Sequence, residues 1–150
     1  NFSLAYPSPL VFLRRISKAE AYDVRSRTIA KYLMEVCIVD SRFVACPPSM
    51  LAAVCVAFAR EMLNSGPWTP NLRHYSGGYT EADMAPWMAL LLDNLKKPIA
   101  FESVYKKYAL KKLMRASVVV QEYMKRAYNV PPHILRDSGP SVFDPDAKSA

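Results

Sequence analysis

The stretch ACPPSMLAAVCVAFAREML, residues 45–63, indicates where the centre of this protein lies. Two prolines stand near its beginning, where the first turn of a helix tolerates their missing N–H group. Apolar residues then occupy nearly every position, and small side chains that let neighbouring helices approach closely stand at positions 52, 53, 57 and 59. We therefore predict a helix here that is buried on all sides.

Helical patterns extend outward from this stretch in both directions. Upstream, Asp23 has the side chain of an N-cap for a helix over about 24–39. Downstream, Thr80 and Asp83 have the spacing of a shortened capping box, at the start of a helix that ends near Lys96. Further helices are predicted over residues 10–19, 101–114 and 116–128. The sequence thus predicts an all-α protein, a compact five-helix domain around a buried central helix with a further C-terminal helix.

The net charge of +7 is unevenly distributed along the 150 residues. Between positions 14 and 31 there are six basic residues and two acidic ones. Between positions 35 and 93 there are three basic residues and six acidic ones. Between positions 96 and 136 there are ten basic residues and two acidic ones. This layout favours one or two surfaces that face anionic partners, which include nucleic acid, a phosphoprotein or an acidic protein face.

Several classes of protein are not expected. The longest apolar run, Met50–Ala59, is ten residues, whereas a membrane-spanning helix needs roughly 18 or more, so a membrane protein is not predicted. No secretory leader is visible, so a secreted protein is not predicted either. Cys37, Cys46 and Cys55 form no CxxC pair, and we expect buried free thiols and no zinc site. No catalytic motif is recognisable, so an enzyme is not expected and no cofactor is predicted.

The motif FLRRISK, residues 12–18, introduces the first candidate site. Arg27 and Lys31 lie one helical turn apart near a predicted helix N-terminus, where the free N–H groups and the helix dipole also favour an anion. If the first helix packs its end against the start of the second, Arg14 completes a cluster that suits a phosphate dianion. The alternative is a solvated basic face that is paired in part with Glu20, Asp23 or Glu35.

The motif YKKYALKKLMR, residues 105–115, is the second candidate. Its basic residues are expected on the outer side of an amphipathic helix, where they offer a surface to nucleic acid or to an acidic partner. These basic residues are Lys106, Lys107, Lys111, Lys112 and Arg115. A face that only increases solubility is the alternative. Tyr105 and Tyr108 fall on the inner side of that helix and are expected in the core, not as platforms for base stacking.

Five motifs, in this order and spacing, make the chain similar to one family over about residues 4–115. They are FLRRISK, RTIAKYLMEVCIVD, CPPSMLAAV, WTPNLRHYSGGYTEADM and VYKKYALKKL. Together they resemble the second, C-terminal cyclin fold of mitotic B-type cyclins, most closely the fungal members. The resemblance implies an inter-box linker over residues 1–8 and a C-terminal cyclin domain, which we place over 9–128. The stretch DSGPSVFDPDAKSA predicts a flexible tail, which we place over 129–150.

The resemblance also implies that this chain is half of a larger unit. B-type cyclins carry an N-terminal box that makes most of the contact with a cyclin-dependent kinase, and no such box is visible here. The parent protein is therefore expected to be a non-enzymatic regulatory subunit of that kinase, acting at mitotic entry in the nucleus and cytoplasm. This fragment alone should not activate a kinase.

B-type cyclins resemble one another in a phosphate-binding pocket on this second fold. By that resemblance the pocket residues here are Arg14, Arg27 and Lys31, and phosphorylated substrates or regulators are the implied ligands. Animal members have histidine at the middle position; arginine stays charged at any physiological pH, whereas histidine titrates. Two alternatives stay open: a module that braces the kinase-binding box, and a nucleic-acid-binding domain, since the transcription factor B family uses the same fold on DNA.

Overall fold

The structure is a computed structural model that describes residues 8–19 and 23–132. Within these residues it contains seven α-helices, two short 3₁₀ turns and no β-strand, so the all-α prediction is confirmed. The helices are α1 (Pro9–Ser17), α2 (Val24–Ile38), α3 (Pro48–Met62), α4 (Pro70–Ser76), α5 (Glu81–Lys96), α6 (Glu102–Tyr108) and α7 (Ala116–Tyr128).

Helix α3 is the buried centre, as the opening stretch predicts. It packs against α1, α2, α4 and α5, and its closest association is with α2. The run Ala52–Cys55 is completely inaccessible to solvent, and Pro48 occupies the first turn. Because each small residue at this surface lets a neighbouring backbone approach, α3 can contact four helices within 15 residues.

The helix starts follow from local side-chain chemistry. Asp23 accepts a hydrogen bond from the backbone N–H of Arg25 at 3.0 Å and caps α2. At the start of α5, the Thr80 hydroxyl accepts from the N–H of Asp83 at 3.2 Å, and the Asp83 carboxylate accepts from the N–H of Thr80 at 2.9 Å. Both predicted caps are therefore confirmed, because each satisfies N–H groups that a helix leaves without internal partners.

The prediction of one helix over residues 101–114 is wrong. Helix α6 stops at Tyr108, a 3₁₀ turn follows at Lys111–Leu113, and Met114 and Arg115 adopt left-handed conformations with φ of 57° and 51°. This turn redirects the chain so that α7 packs against α6 and α2. The buried Ser117 hydroxyl then donates to the carbonyl of Tyr105 at 2.7 Å, so burial of α7 outweighs the helical propensity of the segment.

The three cysteines are free thiols, and all of them are buried, as expected. Burial raises the pKa of the Cys46 thiol to about 12, because the charged thiolate is disfavoured away from water. A thiol in this environment stays protonated at neutral pH and is a weak nucleophile. Packing, and not reactivity, is therefore the role that the structure supports for these side chains.

The predicted linker and tail lie mainly outside the described residues. Of the linker over residues 1–8, only Ser8 is described, and its side chain accepts a hydrogen bond from the N–H of Leu10 at 3.3 Å at the start of α1. Of the tail over 129–150, residues 129–132 are described, and Asn129 ends α7 in a left-handed conformation. These predicted boundaries otherwise stay predictions.

Candidate functional site

Arg14 lies in the last turn of α1, and its side chain is exposed. The neighbouring Leu13 and Ile16 are completely buried and hold α1 against the core. Because successive residues are rotated by about 100° around a helix, this anchoring directs Arg14 away from the buried face. The sequence expectation of an exposed cation at the end of α1 agrees with this placement.

Arg27 and Lys31 lie on the first half of α2, one turn apart, and both are partly exposed. The Nε atom of Arg27 is fully covered by surrounding protein. Nε is part of the charged guanidinium group, so one part of that group is covered by protein although Arg27 as a whole stays partly exposed. The two residues therefore stand where the sequence places them, on consecutive turns near a helix N-terminus.

The helices that carry these three residues are brought together in the fold. Helix α1 packs against both α2 and α3, and only residues 18–23 separate the end of α1 from the start of α2, which limits their separation to roughly 20 Å even for an extended chain. Within the described part of the chain, no ion pair involves Arg14 or Lys31. Convergence of all three charged groups on one ligand stays a prediction.

The second basic group is divided among three elements, so the prediction of one outer helix face is wrong for it. Lys106 and Lys107 belong to α6, Lys111 and Lys112 to the 3₁₀ turn, and Arg115 to the N-cap position of α7. The cause is the chain reversal after Tyr108 described above. Tyr105 and Tyr108 are both buried, as expected.

A link between Glu35 and α6 was not expected from the sequence. The Glu35 carboxylate accepts from Lys107 Nζ at 2.9 Å and from the Tyr108 hydroxyl at 2.8 Å. Burial, and then this hydrogen bond, raise the pKa of Tyr108 above its ordinary value, so it remains a donor. Lys107 is therefore an internal tie between α6 and α2. No local signal could show this, because the partners are 72 residues apart.

A second contact places the 3₁₀ turn and the start of α7 beside the start of α2. The Thr28 hydroxyl lies 3.9 Å from the sulfur of Met114 and also donates to the carbonyl of Val24 at 2.7 Å. Thr28 follows Arg27 directly, and Arg115 follows Met114 directly. The turn between α6 and α7 therefore packs against the first half of α2, although the two segments are far apart in sequence.

Residues 8–19 and 23–132 show neither a membrane-spanning helix nor a metal-binding cluster. No helix there combines the length and the apolar character that crossing a membrane requires. No three histidine, cysteine, aspartate or glutamate side chains are grouped there as a metal ion would need.

Known proteins resemble this chain over most of its length. The family model described as "Cyclin, C-terminal domain" matches residues 7–122. G2/mitotic-specific cyclin cdc13 of Schizosaccharomyces pombe is 47% identical over 126 residues, which are 84% of this chain and 26% of that protein. G2/mitotic-specific cyclin-2 of Saccharomyces cerevisiae is 47% identical over 119 residues, 79% of this chain and 24% of that protein. G2/mitotic-specific cyclin-B of Emericella nidulans is 41% identical over 130 residues, which are 87% of this chain and 27% of that protein.

The chain spans about a quarter of the length of these curated relatives. All three are fungal proteins, and their names agree with the resemblance to mitotic B-type cyclins that the five sequence motifs indicate. Because the family model covers most of the chain and the relatives are 41–47% identical to it, the chain belongs to the cyclin C-terminal domain family.

Proposed function

We propose that this chain is the C-terminal cyclin domain of a mitotic cyclin, the regulatory subunit of a cyclin-dependent kinase. The relatives' description as G2/mitotic-specific cyclins supports the proposal, although they are about four times as long as the matched region. The role is regulatory and not catalytic, and it is exercised in the nucleus and cytoplasm. Kinase binding is assigned mainly to the part of the protein that precedes this domain.

Within that subunit, the domain docks phosphorylated proteins through Arg14, Arg27 and Lys31. The observation that carries this proposal is that Arg14 and Lys31 are cations with no ion pair in the described residues, on two helices that pack together. By contrast, Arg42 and Lys107 both bind carboxylates. A phosphate dianion would relieve the repulsion between neighbouring like charges and accept charge-assisted hydrogen bonds.

Docking of this kind acts on the kinase indirectly. A protein that already carries one phosphate would be held near the kinase, and its remaining sites would meet the kinase at a raised local concentration. The domain would thus favour repeated phosphorylation of the same molecule. No bond is made or broken on the domain itself, so no catalytic residue is required.

The test is fluorescence anisotropy with a labelled phosphopeptide and its unphosphorylated twin. We expect the chain to prefer the phosphopeptide, and Arg14→Ala/Lys31→Ala to weaken that binding at least tenfold. Each lost hydrogen bond to a charged group is worth about 1.5–3 kcal/mol, and about 1.4 kcal/mol corresponds to tenfold. Arg27 is left unchanged because its Nε atom is covered by protein.

The matched control is Lys125→Ala/Arg126→Ala at the exposed end of α7, which removes the same charge elsewhere. We expect less than a twofold effect from this control. Equal affinity for both peptides, or equal losses in the two double variants, would contradict phosphate docking. Circular dichroism of each variant establishes that the fold is retained.

A further inference from the structure

Three exposed cations line the chain reversal between α6 and α7. Lys111, Lys112 and Arg115 are exposed, and none of them forms an ion pair with another residue of the part of the chain that the structure describes. We call these three residues the turn subsite. Lys107 is not part of it, because its charge is committed to Glu35 at 2.9 Å.

The backbone holds the turn subsite in one conformation. Met114 N–H donates to the carbonyl of Lys111 at 2.9 Å, and Arg115 N–H donates to the carbonyl of Leu110 at 3.1 Å. Met114 and Arg115 both have positive φ, which costs each non-glycine residue roughly 1–2 kcal/mol. Tertiary packing must offset that cost, so the position of Arg115 is determined by the fold and not by local preference.

Arg115 also stands at the start of α7, a 13-residue helix that has no side-chain cap. The first N–H groups of such a helix carry partial positive charge and lack internal acceptors. They add to the charge of the three side chains. By contrast, the N-terminus of α2 is capped by the carboxylate of Asp23.

The turn subsite adjoins the proposed phosphate-docking residues on α2. Met114 contacts Thr28 at 3.9 Å, so the chain next to Arg115 packs against the helix turn that carries Arg27. Lys31 lies about 60° around the helix from Thr28, on the same side as Arg27. An occupant of the docking residues would therefore extend past α2 towards the turn subsite.

We propose that the turn subsite binds a second phosphate, so that the whole surface selects protein segments that carry two phosphates. This inference rests on the proposed docking function and specifies its ligand. A nucleic acid fits less well, because Tyr105 and Tyr108, which could stack on bases, are buried. The turn subsite would make docking sensitive to how many sites are phosphorylated.

The test measures how tightly the chain binds a series of related peptides. One carries no phosphate, one carries a single phosphate, and several carry two phosphates at different spacings. We expect the best doubly phosphorylated peptide to bind about tenfold tighter than the singly phosphorylated one. Lys112→Gln/Arg115→Gln should remove this advantage and change binding of the single phosphate less than twofold. Lys125→Gln/Arg126→Gln, with the same loss of charge, should leave the advantage intact.

The outcomes separate this inference from the function on which it rests. If one phosphate binds through Arg14 and Lys31 but a second adds nothing, the turn subsite is overturned and phosphate docking stands. If binding is insensitive to Arg14→Ala/Lys31→Ala yet depends on Lys112 and Arg115, the proposed docking residues are wrong. Displacement of the doubly phosphorylated peptide by an equal concentration of duplex DNA at physiological salt would overturn the preference for protein ligands.

Discussion

Replacement of Leu33 by alanine should measure how strongly α2 is held against the core. Leu33 is 0% exposed and lies about 160° around α2 from Lys31. The substitution removes three carbon atoms from a close-packed interior and leaves a cavity that the neighbouring helices can fill only in part. Leu10 on α1 offers a matched control, because the same substitution there affects a side chain that is 42% exposed.

The expected cost follows from burial. A fully buried leucine that is cut to alanine costs about 3–4 kcal/mol, a large share of the roughly 5–15 kcal/mol that stabilises a domain. For a chain of this size that loss lowers the melting temperature by about 6–16 °C. Leu10→Ala should cost less than about 1 kcal/mol, since water already reaches much of that side chain.

The assay is urea and thermal unfolding followed by far-ultraviolet circular dichroism, with phosphopeptide binding measured below the transition. The folded Leu33→Ala protein should keep its phosphopeptide affinity within about twofold, because the lost atoms lie on the opposite side of α2 from Lys31. Equal destabilisation by Leu33→Ala and Leu10→Ala would refute the burial argument. A strong loss of affinity in the folded variant would refute the separation of core and binding faces.

Two further predictions concern charged groups. Arg42, with its hydrogen bonds and charge, is the main cause that holds the pKa values of Asp40 and Asp93 below their ordinary range. The stability that this provides is fully present above about pH 4 and is lost as pH falls further, through the lowered pKa values of the folded protein. Urea midpoints of parent and Arg42→Met should therefore differ at pH 7 and approach each other progressively below about pH 4, and a difference that stays constant down to about pH 2 would contradict this. Glu35→Gln should tighten phosphopeptide binding about twofold in anisotropy measured at low salt. The reason is that the repulsion between the Glu35 carboxylate and a phosphate charge about 10 Å away in water is worth about 0.4 kcal/mol. Weaker binding, or an effect that persists at high salt, would contradict this prediction.

Local features of the sequence were sufficient for most helices. The caps at Asp23 and Thr80 could be predicted because each cap bonds to an N–H two or three residues away. The buried stretch of α3 could be predicted from its composition, and the two buried tyrosines of α6 from helical spacing. The same local reasoning failed across residues 101–114, where the helical pattern is continuous in the sequence. The helix nevertheless ends at Tyr108, because the chain turns there so that α7 can pack against α2 and α6.

What the sequence determined by itself, then, is the class of fold, the position of its central helix and the family to which the motifs belong. Only the tertiary structure decided which cations are available. Lys107 meets Glu35 across 72 residues and Thr28 meets Met114 across 86, so one lysine is paired with a carboxylate while the turn that carries Arg115 is packed against α2. Charge pairing depends on distance in space, and no local pattern encodes a contact between segments that only packing brings together.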